Sequence, residues 1–185
     1  MNTTVINGID VDALQALVDV VKNRPDQRKV AFKVLTEWRG QTRTVSTVSD
    51  YTLGGRIFSR HFEIRSDEPL ELLGESTAPN PQELLMAALN ACMPVGYAAN
   101  AATMGIKLDK LEIETEGQLD LRGFLGLDPT IKAGYEEVHY TVRIQSSAPR
   151  SQLEELHQRI MKTSPKVSNF ATAIQMVPNL VINQS

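Results

Sequence analysis

Apolar positions recur along this chain at two spacings, and the places where one gives way to the other mark its elements. Behind Asp10, Leu14, Leu17, Val18 and Val21 fall on one helix face until Arg24-Pro25 stops them, which predicts an N-terminal amphipathic helix capped by Asp10. From Val30 the period drops to two: Val30, Phe32, Val34 and Thr36 alternate with Lys33 and Glu37 before Trp38, a first strand. Arg43 to Leu53 reads as a second strand with blurred alternation, and Gly54-Gly55 as the turn into a third, Ile57 to Arg65. On that third strand Phe58, Arg60, Phe62 and Ile64 share one face, so Arg60 points with the apolar set. Such a guanidinium either snorkels to water at an edge or meets a partner in a cleft.

Asn80-Pro81-Gln82-Glu83 predicts a helix start, with Asn80 as cap, Pro81 at the first helical position and Glu83 where a capping-box carboxylate sits. The helix is apolar on almost every side and runs to Met93. Pro94 lacks the N–H that would bond the Asn90 carbonyl, which predicts a kink or a second helix from Pro94 to Met104, closed by Gly105. Leu111 to Leu121 and Val138 to Ile144 alternate as two further strands around a glycine-rich loop, Arg122 to Pro129, whose Phe124, Leu125 and Leu127 are expected to fold back over the core. Leu153, Leu156, His157 and Ile160 place another helix on the sheet; Ser164-Pro165 starts one more, and Val177 to Ile182 reads as a final edge strand. Strands and helices segregated in this way indicate an α+β fold with antiparallel sheets. A chain of 185 residues, without repeat or low-complexity linker, is expected to form one domain, 1–185.

Charge and composition narrow the function. The net charge of −3 is scattered rather than striped, which argues against a nucleic-acid partner. The most apolar window is interrupted by Asn90, Pro94, Gly96 and Asn100, so no membrane span is expected, and no signal peptide is evident at the start; the cytoplasm is the expected location. His61, His139 and His157 lie far apart without cysteine or carboxylate at ligand spacing, and neither glycine-rich turn has a phosphate-loop frame; no metal and no cofactor are expected.

Cys92 is the only cysteine. It cannot close an internal disulfide and stands as a buried small hydrophobe or a functional thiol. A helix beginning at Pro94 would set its positive end beside the sulfur and favour thiolate. Glu83 is nine positions earlier, on the opposite face of a regular helix and roughly 13 Å away. One helix cannot join the two, and if Glu83 serves Cys92, a second copy supplies it.

The segments Trp38-Arg39-Gly40 with Thr44 to Thr47, Gly74 to Leu85 with its Asn-Pro-x-Glu-Leu, and Ala87 to Cys92 resemble successive segments of the OsmC/Ohr family of hydroperoxide-handling proteins; the resemblance spans roughly 27–183, leaving 1–24 as an N-terminal helical extension. It implies an OsmC-like fold with antiparallel sheets wrapped around paired central helices in an intertwined homodimer. It further implies a reactive cysteine, activated by arginine and glutamate, that attacks an organic hydroperoxide, and a second cysteine that closes a disulfide. By position Cys92 is the reactive thiol and Glu83 the glutamate; Arg60 is chosen as the arginine, with Arg43, Arg56 and Arg65 open. Where the second cysteine belongs, this chain has Ser164, a good helix cap. Function is therefore expected to be one-cysteine reduction of organic hydroperoxides with an external thiol reductant. The alternative is a non-enzymatic binder holding a small apolar ligand in the dimer-interface cleft.

Overall fold

In the computed structural model, which describes residues 4–183, the chain opens with a hairpin that the periodicity did not forecast. β1 (Val5–Ile6) and β2 (Ile9–Asp10) pair across Asn7-Gly8, both with positive φ (54° and 76°), the conformation that two-residue hairpin turns demand. The Asn7 carboxamide donates to the Ile106 carbonyl and accepts from Leu108 N, each at 2.9 Å, tying this hairpin to the middle of the chain. Asp10 then caps α1 (Val11–Asn23) through Ala13 N, as expected.

β3 (Val30–Trp38) and β4 (Thr44–Leu53) form the predicted meander. The third strand is two: β5 (Arg56–Phe58) and β6 (Phe62–Ser66) both pair with β4, and Ser59 to His61 belong to neither. The cause lies in β4. Phe32 faces Tyr51 while Val34 faces Val48, so Lys33 alone opposes Ser49 and Asp50, a bulge that bends the ladder and breaks the strand on its other side. Register gives the sheet two unlike faces. Phe32, Val34, Val48, Tyr51, Phe58, Phe62 and Ile64 share one; Glu37, Arg39, Arg43, Val45, Glu63 and Arg65 share the other. The apolar face is open, with Phe32 66% and Phe62 57% exposed.

The connection to the central helix is tied around Asp67, only 1% exposed. Its carboxylate accepts from the hydroxyls of Thr42 (2.6 Å) and Thr77 (2.8 Å) and from the backbone N–H groups of Glu68, Glu75 and Thr77 (2.9–3.2 Å). Gly74 is required here, since a Cβ would collide with the Glu68 carbonyl.

α2 (Pro81–Thr103) starts with the predicted capping box and continues through Pro94 as one helix, so the second helix expected from Pro94 does not form. Leu89, Met93, Tyr97 and Ala101, four residues apart, form a buried stripe on both sides of the proline. Burying each of the three larger side chains is worth about 1.5–3 kcal/mol, which outweighs the roughly 3 kcal/mol of one interior proline. Among the described residues α2 is the one helix long and apolar enough to cross a membrane by length and composition, yet it packs on α4, α5 and β7 as a core helix.

β7 (Lys110–Gly117) and β8 (Val138–Gln145) pair antiparallel; β7 stops at Gly117, where the Tyr135 ring crosses, rather than reaching Leu121. Asp120 caps the short α3 (Leu121–Phe124), and the Arg122 guanidinium it accepts from holds its carboxyl down to about 2. Phe124, Leu125 and Leu127 do not cover the core: Leu127 is 71% exposed. α4 (Arg150–Thr163) completes the core through Leu156 and Ile160, and α5 (Pro165–Ala171) follows. No ladder forms at Val177–Ile182; its apolar side chains stand exposed, correcting the expected edge strand. The class is α+β, as predicted. Leu156→Ala, at a fully buried position, is expected to cost about 2–5 kcal/mol by urea denaturation.

Candidate functional site

Cys92 lies at the middle of α2, half-buried and one residue from the buried Met93. Its Sγ is 4.0 Å from the Ser164 Oγ, 72 positions away. Ser164 ends α4 and caps α5, accepting from Val167 N at 3.4 Å, so the turn between those helices is what sets the hydroxyl against the thiol. Ser164 and the lone thiol are therefore neighbours in space. Because α2 does not restart at Pro94, the expected helix start there is absent; the helix start beside the sulfur is that of α5, through its cap Ser164.

Glu83 sits in the first turn of the same helix. Its carboxylate accepts from Asn80 N at 2.8 Å while Asn80 Oδ1 accepts from Glu83 N, also at 2.8 Å. Burial first, and the Glu83 charge second, push the Tyr135 phenol up. With the helix continuous, Glu83 and Cys92 face opposite ways within one chain.

Arg60, between β5 and β6, lays its guanidinium over the apolar sheet face, 4.9 Å from the Tyr51 ring centre and 5.8 Å from those of Phe32 and Phe62. It thus joins the apolar set, as its place in the sequence indicated, on an element apart from α2. Of the other arginines, Arg56 covers Phe58 at 5.3 Å, Arg43 pairs with Glu75 at 2.7 Å and Arg65 with Glu63 at 3.6 Å.

His157 bonds the hydroxyl of the fully buried Tyr97 through Nδ1, a satisfied core-edge histidine; burial, then Tyr140, pushes the Tyr97 phenol up to about 12. His139 is exposed and paired with Glu137 at 2.9 Å, which raises its pKa. Among the described residues no group of three or more His, Cys, Asp and Glu side chains converges to hold a metal ion. Among the described residues, cavities of about 390, 620 and 1060 Å³ open elsewhere, and Cys92 does not line them. Sequence reasoning missed the Asp67 knot, whose donors Thr42 and Thr77 stand 25 and 10 positions away and leave no local signal, and the Asn7-Gly8 turn, whose dipeptide is a strong hairpin signal.

A family model described as OsmC-like protein matches residues 74–178. An OsmC-like protein from Mycoplasma pneumoniae is 16% identical, with 78% of this chain and 89% of that one covered and a TM-score of 0.57. A Psychrobacter arcticus protein described as an osmotic stress induced and detoxification response protein is 19% identical over 73% and 85% of the two chains, with a TM-score of 0.56. These two share the fold. An OsmC-like hydroperoxide resistance protein from Jannaschia sp. is 18% identical over 84% and 95%, with a TM-score of 0.46. No curated protein matches.

Proposed function

Because the chain belongs to the OsmC-like family, we propose that it is a cytoplasmic, homodimeric thiol peroxidase that uses Cys92 alone to reduce organic hydroperoxides in oxidative-stress defence. The observation that carries this reading is Cys92 itself, half-buried on the family-matched helix with Ser164 alongside.

In this reading the Cys92 thiolate attacks the terminal oxygen of the hydroperoxide; the S–O bond forms, the O–O bond breaks, and the leaving alkoxide takes a proton to become the alcohol. Cys92 is left as sulfenic acid. With serine at position 164 no internal disulfide can close, so an external dithiol attacks the sulfenic sulfur, releases water, and then displaces Cys92 as it becomes a disulfide itself. No cofactor is needed.

Arg60 and Glu83 enter through a second copy. The open apolar face that carries Arg60 can receive the α2 of another chain, on which Ala87, Ala91 and Val95 form an exposed stripe. That docking would set Arg60 of one copy beside the other's thiol, with a Glu83 orienting the guanidinium. Residues 27–183 form the family-like core in this scheme, and 1–24 its extension.

The test is cumene hydroperoxide consumption with and without dithiothreitol, together with intact mass. Wild type is expected to turn over only with the dithiol and to gain one oxygen without it; Cys92→Ser is expected to fall to background and Arg60→Ala by about 10²-fold. Equal turnover by Cys92→Ser ends the proposal.

A further inference from the structure

The wet face of the β3–β6 sheet gathers three arginines around one cavity. Arg39 and Arg43 flank the β3–β4 turn, held by Arg39 N bonding the Arg43 carbonyl at 2.8 Å; Arg65 stands across from Val45, one row along. Alternation puts all three on the face opposite Phe32 and Phe62. Between them opens a cavity of about 390 Å³, which Ser66 and Thr77 also line. That volume is within the ~300–1,000 Å³ range of small-molecule sites.

The cavity wall holds an unmet demand. Arg43 gives one terminal nitrogen to Glu75, but its Nε is buried without a hydrogen-bond partner. Native proteins leave few such donors, and a small shift of the Arg43 side chain toward an acceptor in the cavity would satisfy this one. The other two guanidiniums are engaged only by exposed neighbours on the same strands, Glu37 at 2.8 Å and Glu63 at 3.6 Å. Pairs of that kind are weak enough to be exchanged for a ligand. Asp67, behind Thr77, has its carboxylate charge taken up by five hydrogen bonds. Three guanidiniums lining one cavity offer more N–H donors than a planar carboxylate needs, which one fork can hold alone, and suit the several oxygens of a tetrahedral oxyanion.

We propose that this cavity binds a phosphate group, free or carried as the monoester of a small molecule. The site is independent of the Cys92 chemistry, since it lies on the other face of the sheet from Arg60 and needs no thiol.

Trp38, the only tryptophan, adjoins Arg39 and donates its indole N–H to the Gln41 carbonyl at 2.8 Å, so its fluorescence reports on the turn. The full chain is titrated with inorganic phosphate and with glycerol 2-phosphate against chloride at matched ionic strength, and calorimetry repeats the titration. Saturable binding is expected, at least about tenfold weaker in Arg65→Gln, an exposed position, and in Arg43→Lys, which keeps the charge but removes Nε. Cys92→Ser is expected to bind as wild type does. Tighter binding of the ester than of phosphate assigns the site to an organic phosphate, and equal binding to the free ion. No saturable response beyond chloride, or affinity unchanged in either variant, overturns the proposal.

Discussion

Asp67→Asn is expected to lower the melting temperature by an amount on the order of 10 °C, although the side chain barely changes in size. The carboxylate accepts five hydrogen bonds at a position with 1% exposure, and an amide nitrogen in place of one oxygen would point a donor at other donors. Those bonds, the Thr42 hydroxyl foremost, hold the Asp67 carboxyl well below the usual carboxylate range. The sign of the pH effect follows. A carboxyl whose folded pKa is depressed stabilises the fold fully above its unfolded value near 3.9, and that stability drains away as pH falls from there toward the folded value. Thermal melts between pH 7 and pH 3 should therefore fall more steeply below pH 4 for wild type than for Asp67→Asn. Parallel curves would refute this account of the knot.

Phe32→Asp combined with Phe62→Asp is expected to turn a dimer into a monomer by light scattering and to abolish hydroperoxide turnover while Cys92 is untouched. Both rings are more than half exposed on a sheet face that also carries the exposed Val34 and Ile64, and apolar side chains exposed side by side mark interaction surfaces. Charges placed there would oppose any apolar partner. Far-UV circular dichroism should remain as in wild type, because neither ring belongs to the buried cluster around Met93 and Leu156. A wild-type chain that is already monomeric, or a double variant that still dimerises, would remove the second copy from the mechanism.

How far the sequence could be read depended on whether the deciding interactions were local. Asn80, Pro81 and Glu83 announce the start of α2 because the capping bonds close within four residues. The β3–β4 pairing and the Gly54-Gly55 turn were legible for the same reason, as were Ser164 at the cap of α5 and Arg60 on the apolar face. Pro94 misled because its penalty is local while the stripe that overrides it packs against α4, some sixty residues on. The third strand broke because of a bulge in its neighbour, which no property of Ile57 to Arg65 reveals. Val177 to Ile182 has a strand's composition, but a ladder needs a partner edge, and none among the described residues accepts it.

By itself, then, the order of residues determined the α+β class, most element starts and the identity of the lone thiol on its capped helix, because periodicity, caps and turns act over a few bonds. Only the tertiary structure decided that Ser164 stands beside Cys92, that α2 passes intact through Pro94, that Asp67 ties five donors together, and that three arginines share a cavity. Those juxtapositions join residues about ten to seventy positions apart, and they exist only once packing has fixed which faces meet.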